Sequence, residues 1–208
     1  MIRAPLRYDQ RQRMHTTMFD TPILKTLLRW ISILALKLAG WKAEGEIPKD
    51  LKKCVMIAAP HTSNWDLPFM LFIAFKLRAK IYWMGKEQIF KPPFKSLMMW
   101  MGGVPVDRSK ANNMVQASID AINENDQLFL IVPPEGTRSK VTYWKTGFYH
   151  IAHGADVPIL MGFLDYKNKR GGIKGTYTTT GDIETDMEEI KGIYAAISGR
   201  KEDQYHAN

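Results

Sequence analysis

Between residues 54 and 66 the chain reads Cys54-Val55-Met56-Ile57-Ala58-Ala59-Pro60-His61-Thr62-Ser63-Asn64-Trp65-Asp66, an apolar run halted by a proline and followed by a polar loop. A short uninterrupted apolar run bounded by such a break suits a buried strand. Pro60, which cannot donate a ladder hydrogen bond, closes it. Downstream the pattern alternates. Helical periodicity over 67–77, 93–101 and 112–122 separates strand-like runs at 81–84, 104–106 and 128–132. A strand over 157–164, a basic Gly-rich turn at 167–174, a strand at 176–180 and a helix over 185–197 follow. This alternation predicts an α/β fold with a mixed central sheet flanked by helices.

Upstream of the run, Leu24, Leu27, Leu28, Ile31, Leu34 and Leu38 fall on one side of a helical wheel, and Lys25, Thr26, Arg29, Ser32 and Lys37 on the other. The wheel predicts an amphipathic helix within residues 21–44, ahead of a single domain over 45–208. Such a helix can lie in a headgroup plane with Trp30 and Trp41 at the boundary, or pack on a core. The basic charges interrupt it too often for a span, which needs about 20 mostly apolar residues. Residues 1–20, with Arg3, Arg7, Arg11 and Arg13, read as a basic mobile arm.

The 208 residues carry a net charge of +8, which favours an anionic partner, phospholipid, polynucleotide or phosphorylated substrate. No helix-turn-helix, RRM or zinc-finger pattern accompanies the charge, so no nucleic-acid partner is expected. The single Cys54 excludes an internal disulfide and a Cys-based zinc site. His150 and His153 stand three apart with no third ligand at zinc-like spacing, and no metal is expected. The opening residues lack an apolar run with a small-residue cleavage site, so the expectation is a cytosol-facing protein that is not exported.

His61 sits just past a buried strand, where a rigid scaffold presents reactive groups at an open edge. Asp66 lies five residues on, and a tight turn folds its carboxylate back to fix the imidazole tautomer. No Gly-x-Ser-x-Gly elbow supplies a protein nucleophile. The stretch Pro134-Glu135-Gly136-Thr137-Arg138-Ser139 ends another strand with a planar cationic fork and a close-approach glycine: a phosphate cradle, or an ordinary turn with an ion pair. Gly102-Gly103-Val104-Pro105-Val106-Asp107-Arg108 repeats the pattern. Phe69, Met70, Phe72, Phe75 and residues 98–101 suit a slot for an acyl chain, although core packing is the commoner use of such residues.

In order and spacing these stretches resemble the four motifs of the glycerolipid acyltransferases typified by lysophosphatidic acid acyltransferase. His61 to Asp66 match the first, residues 102–108 the second, residues 135–139 the third, and Val157-Pro158-Ile159 the fourth. The resemblance implies transfer of a fatty acyl group from acyl-coenzyme A or acyl-carrier protein, as co-substrate and with no cofactor, to a lysophospholipid or glycerol-phosphate-like hydroxyl. It implies His61 as general base, Asp66 as its orienting partner, and Gly103, Arg108, Glu135, Gly136, Thr137 and Arg138 as the acceptor's binding residues. With the basic amphipathic helix, it implies a peripheral or monotopic protein on the cytoplasmic face of an anionic membrane. The alternative is a non-catalytic basic lipid- or nucleic-acid-binding protein. Pro60, Pro105 and Met161-Gly162 depart from the family pattern and bear on which acceptor is used.

Overall fold

The computed structural model describes residues 14–106, 111–138, 141 and 143–201. Its elements are, in order, α1 (Pro22–Leu38), β1 (Lys42–Glu44), β2 (Lys53–Ala59), α2 (Asp66–Leu77), β3 (Ile81–Lys86), a 3-10 turn (Glu87–Phe90), α3 (Lys95–Trp100) and β4 (Gly103–Val106). Then come α4 (Ala111–Glu124), β5 (Leu128–Ile131), α5 (Gly147–Gly154), β6 (Ile159–Asp165), β7 (Arg170–Tyr177) and α6 (Ile183–Tyr194).

The strands form one seven-stranded sheet in the order β1-β7-β6-β2-β5-β3-β4. Every neighbouring pair is parallel except β6 with β7, so the sheet is mixed as predicted. The apolar run is its central strand: β2 pairs β5 through Val55 with Leu130, and β6 through Ile57 with Met161. Because side chains alternate along a strand, Val55, Ile57 and Ala59 enter a core with Phe148, Ile151 and Tyr194 of α5 and α6. Cys54 and Met56 enter the opposite core, with Leu71 and Phe75 of α2. Burial on both faces explains the absence of polar alternation in this strand. The consequence for function is positional: β2 to β6 are mutually parallel, so their carboxyl ends share one edge of the sheet.

Four expectations need correcting. The stretch 21–44 is not all helix, because Gly40 takes a left-handed φ of 74° and turns the chain into β1, which joins the sheet edge. Of the two placements open to the wheel, packing of its apolar face on a core is not the one found: Ser32 and Leu36 are buried, Ser32 donating to the Leu28 carbonyl, while Ile23, Leu27, Trp30, Ile31, Leu34 and Leu38 face solvent. Third, the last residues of the expected arm are packed: Thr17, Met18 and Phe19 are buried, Phe19 stacking on Phe75 at 4.6 Å. Residues 1–13 lie outside the described residues. The strand expected at 176–180 begins at Arg170 and takes in much of the basic turn.

Candidate active site

The His61 loop leaves β2 at Pro60 and re-enters regular structure at Asp66, the first residue of α2. A carboxylate in a first helical turn is stabilised by the free amide N–H groups there. Asp66 also receives side-chain and loop donors. Its Oδ2 accepts from His61 Nδ1 at 3.0 Å and from the Thr62 and Ser63 amides, each at 2.9 Å. Its Oδ1 accepts from the Tyr166 hydroxyl at 2.8 Å. Since Asp66 acts only as an acceptor here, Nδ1 carries the imidazole proton and Nε2 presents its lone pair. The His61 side chain keeps 24% of its accessible surface and that of Asp66 only 7%, the arrangement needed for an open base on a buried support.

The third motif meets the first directly. Glu135 is buried, and its Oε1 accepts the His61 backbone N–H at 3.0 Å, while Oε2 has no hydrogen-bond partner. Burial pushes the Glu135 carboxyl up to about 7. Glu135 therefore holds the loop from beneath and does not face an open headgroup site. Arg138 is exposed, donates Nε to His61 Nε2 at 3.4 Å, and donates Nη1 to Asn64 Oδ1. Thr137 lies half-buried in the same turn, and Gly136 adopts a left-handed φ of 64°.

Lys145 is a residue the sequence reading missed. Its backbone N–H donates to the Pro134 carbonyl at 2.8 Å, and its stem crosses Gly136, with Cδ 3.1 Å and Nζ 3.2 Å from where a Cβ on that glycine would sit. A side chain at 136 would push the ammonium away. Asn64, also missed, sat unremarked inside the histidine-to-aspartate spacing. The signal for Lys145 was weak in sequence, since six residues separate it from Arg138.

Gly103 does not reach this site. It opens β4, three residues before the strand's carboxyl end, and a Cβ there would meet the Met98 carbonyl at 2.6 Å and the Phe90 ring at 2.7 Å. Its smallness serves packing beneath β4. Arg108 lies outside the described residues. Phe69 and Phe75, considered for an acyl slot, are committed to stacking on Trp41 and Phe19. A groove of about 640 Å³ opens instead on the α5 face, lined by Met84, Val106, Val132, Pro133, Gly136 and Trp144 among others. His61 is not among its lining side chains; the groove reaches the turn through Pro133 and Gly136. Among the described residues no three His, Cys, Asp or Glu side chains gather as a metal site.

Residues 42–161, more than half of the chain, match the family described as Acyltransferase. The fold matches the crystal structure of the 1-acyl-sn-glycerophosphate (LPA) acyltransferase PlsC from Thermotoga maritima, with a TM-score of 0.60 and 18% identity, over 83% of this chain and 77% of that one. No curated protein sequence matches.

Proposed function

The chain belongs to the acyltransferase family, and on that premise we propose that it transfers a fatty acyl group from an acyl thioester to the hydroxyl of a lysophospholipid or glycerol-phosphate-like acceptor. The donor is acyl-coenzyme A or acyl-carrier protein. His61 Nε2 takes the hydroxyl proton as the acceptor oxygen attacks the thioester carbonyl, and Asp66 holds the ring and stabilises the imidazolium. Collapse of the tetrahedral intermediate breaks the carbon–sulfur bond, and the proton on Nε2 passes to the departing thiolate. The products are an ester and a free thiol, and every bond and proton is accounted for without an acyl-enzyme.

Gly136, Thr137 and Arg138 receive the acceptor's anionic headgroup, joined by Arg108. Arg138 supports this role by position: a guanidinium touching the base's lone pair moves onto an arriving phosphate, which binds the planar fork in two-pronged fashion. The groove beside Gly136 suits the acyl chain, being apolar and large enough for a flexible tail. The exposed apolar stripe of α1 supports attachment to an anionic bilayer surface at its cytoplasmic face. No described helix is long and apolar enough to cross a membrane.

The observation that carries the reading is the pairing of His61 with Asp66 on a loop whose backbone is held by Glu135 of the third motif. An acyl-transfer assay with a panel of lysolipid acceptors and both donor types tests it. His61→Ala is expected to lose about 10² to 10⁴-fold in turnover with an unchanged melting temperature. Wild-type turnover from folded His61→Ala protein refutes the assignment.

A further inference from the structure

We propose that Tyr166 is a positioning residue for the His61–Asp66 pair, acting through the Asp66 oxygen that His61 does not use. This inference rests on the functional reading above and extends it to a residue outside the four motifs. Tyr166 is the first residue after β6, so the sheet edge that presents His61 presents Tyr166 as well.

The two carboxylate oxygens of Asp66 are unequally supplied. Oδ2 takes three donors, the His61 ring and the Thr62 and Ser63 amides, whereas Oδ1 takes the Tyr166 hydroxyl. Without that hydroxyl, a buried oxygen loses its donor, and such an oxygen is costly to leave unpaired. The carboxylate then gains freedom to turn about its Cβ–Cγ bond and exchange oxygens, which releases the Nδ1–Oδ2 hydrogen bond that fixes the His61 ring. Burial, and then the Asp66 charge, push the Tyr166 phenol up, so it stays protonated and remains a donor.

The phenol is itself held from three sides. Trp41 and Phe69 meet its ring edge-on, with centroids 5.0 and 5.9 Å away. Its backbone N–H donates to the Ser198 carbonyl at 3.0 Å, tying it to the segment that follows α6. That segment reaches the other side of the His61 loop. A Cβ on Gly199 would lie 2.8 Å from Thr62 Cγ2, the Lys201 amide donates to Thr62 Oγ1 at 3.4 Å, and the Arg200 guanidinium covers Trp65 at 5.2 Å. The loop is thus held between Tyr166 and residues 198–201, and a phenylalanine at 166 keeps every packing contact while deleting one hydrogen bond.

The test compares Tyr166→Phe with Tyr177→Phe in the full chain. Tyr177 makes the same kind of bond, to Asp186 at 2.8 Å, in the first turn of α6. Tyr166→Phe is expected to lower kcat by about tenfold or more while KM for donor and acceptor stays within about twofold, since small misplacement of a base acts on the transition state. Tyr177→Phe is expected to leave kcat unchanged. A wild-type kcat in Tyr166→Phe overturns the proposal, as does an equal kcat loss in Tyr177→Phe. Should the wild-type chain transfer no acyl group with any donor and acceptor, the acyl-transfer reading fails by itself, and nitrogen-15 spectra of His61 then decide. A single Nδ1–H tautomer in wild type that becomes a mixture in Tyr166→Phe supports the positioning role; an unchanged tautomer overturns it.

Discussion

Glu135 shows how one side chain's environment changes its meaning. In sequence it reads as part of a phosphate cradle; in the fold it is sealed beneath the loop and accepts the His61 amide. Its folded pKa of about 7 lies above the ordinary 4.5, so the folded state binds a proton the unfolded chain has already released. The sign follows: its favourable contribution is complete below about pH 4.5 and is lost as pH rises through about 7. Glu135→Gln keeps an oxygen for the amide and removes the titration. Its stability relative to wild type is expected to grow between those pH values by up to about 3 kcal/mol, read by denaturant melts at pH 4.5 and 8; parallel pH profiles would remove this account. Lys145 carries a prediction of a different kind. Its ammonium lies beside Gly136 of the proposed headgroup turn, so Lys145→Gln is expected to raise the acceptor KM about tenfold with little change in kcat, as loss of a cation that binds ground and transition states alike does. An unchanged KM for a phosphorylated acceptor excludes Lys145 from the headgroup site. His61 and Asp66 were legible in the sequence because a turn of fixed length joins them. Tyr166 and Lys145 were not, because their places depend on which strands become neighbours, and local spacing does not encode that.

At the scale of elements, the central strands were readable because burial on both faces leaves short apolar runs closed by turn residues. The edge strand β1 was not. β1 has only three residues and pairs with β7 at Lys42 with Arg170, a contact 128 residues away that propensity does not reveal. Acidic residues suit the start of α6, where free amide N–H groups favour negative charge, and Asp182 caps it, accepting from the Glu184 and Thr185 amides. Asp186 does more. It is buried and accepts from the Tyr149 and Tyr177 hydroxyls and from the Thr180 amide and hydroxyl, tying α5, β7 and α6 together. Burial opposes its charge, but these donors outweigh burial and hold its carboxyl at about 2. Asp186→Asn is expected to cost about 2 to 4 kcal/mol in denaturant unfolding, since an amide cannot accept from all four donors. Turnover at temperatures where the variant is folded is expected to match wild type; a selective loss of kcat would move Asp186 from scaffold to site.

Across the whole molecule, the orientation of α1 determines what the protein presents to its surroundings. The helix spends Ser32 and Leu36 on packing and shows Trp30 at 62% and Leu38 at 79% exposure, with Ile23, Leu27, Ile31 and Leu34 between them on one stripe. Contiguous exposed apolar side chains of this size are uncommon on a protein that meets only water. Phe94, Leu97 and Trp100, beside the basic Lys91 and Lys95, add a second exposed apolar group around α3. On the membrane attachment proposed above, and with a net charge of +8, apolar side chains of this surface enter the acyl region of an anionic bilayer and lysines meet its phosphates. Burying one leucine-sized side chain contributes about 1.5 to 3 kcal/mol, so Leu34→Glu is expected to weaken partitioning onto anionic vesicles by about tenfold or more. High salt is expected to weaken wild-type binding without abolishing it, because screening removes the attraction between charges and leaves the apolar contribution. Co-sedimentation with vesicles of anionic and of neutral lipid, at low and high salt, separates the two. Undiminished binding of folded Leu34→Glu protein would show that α1 does not face the lipid.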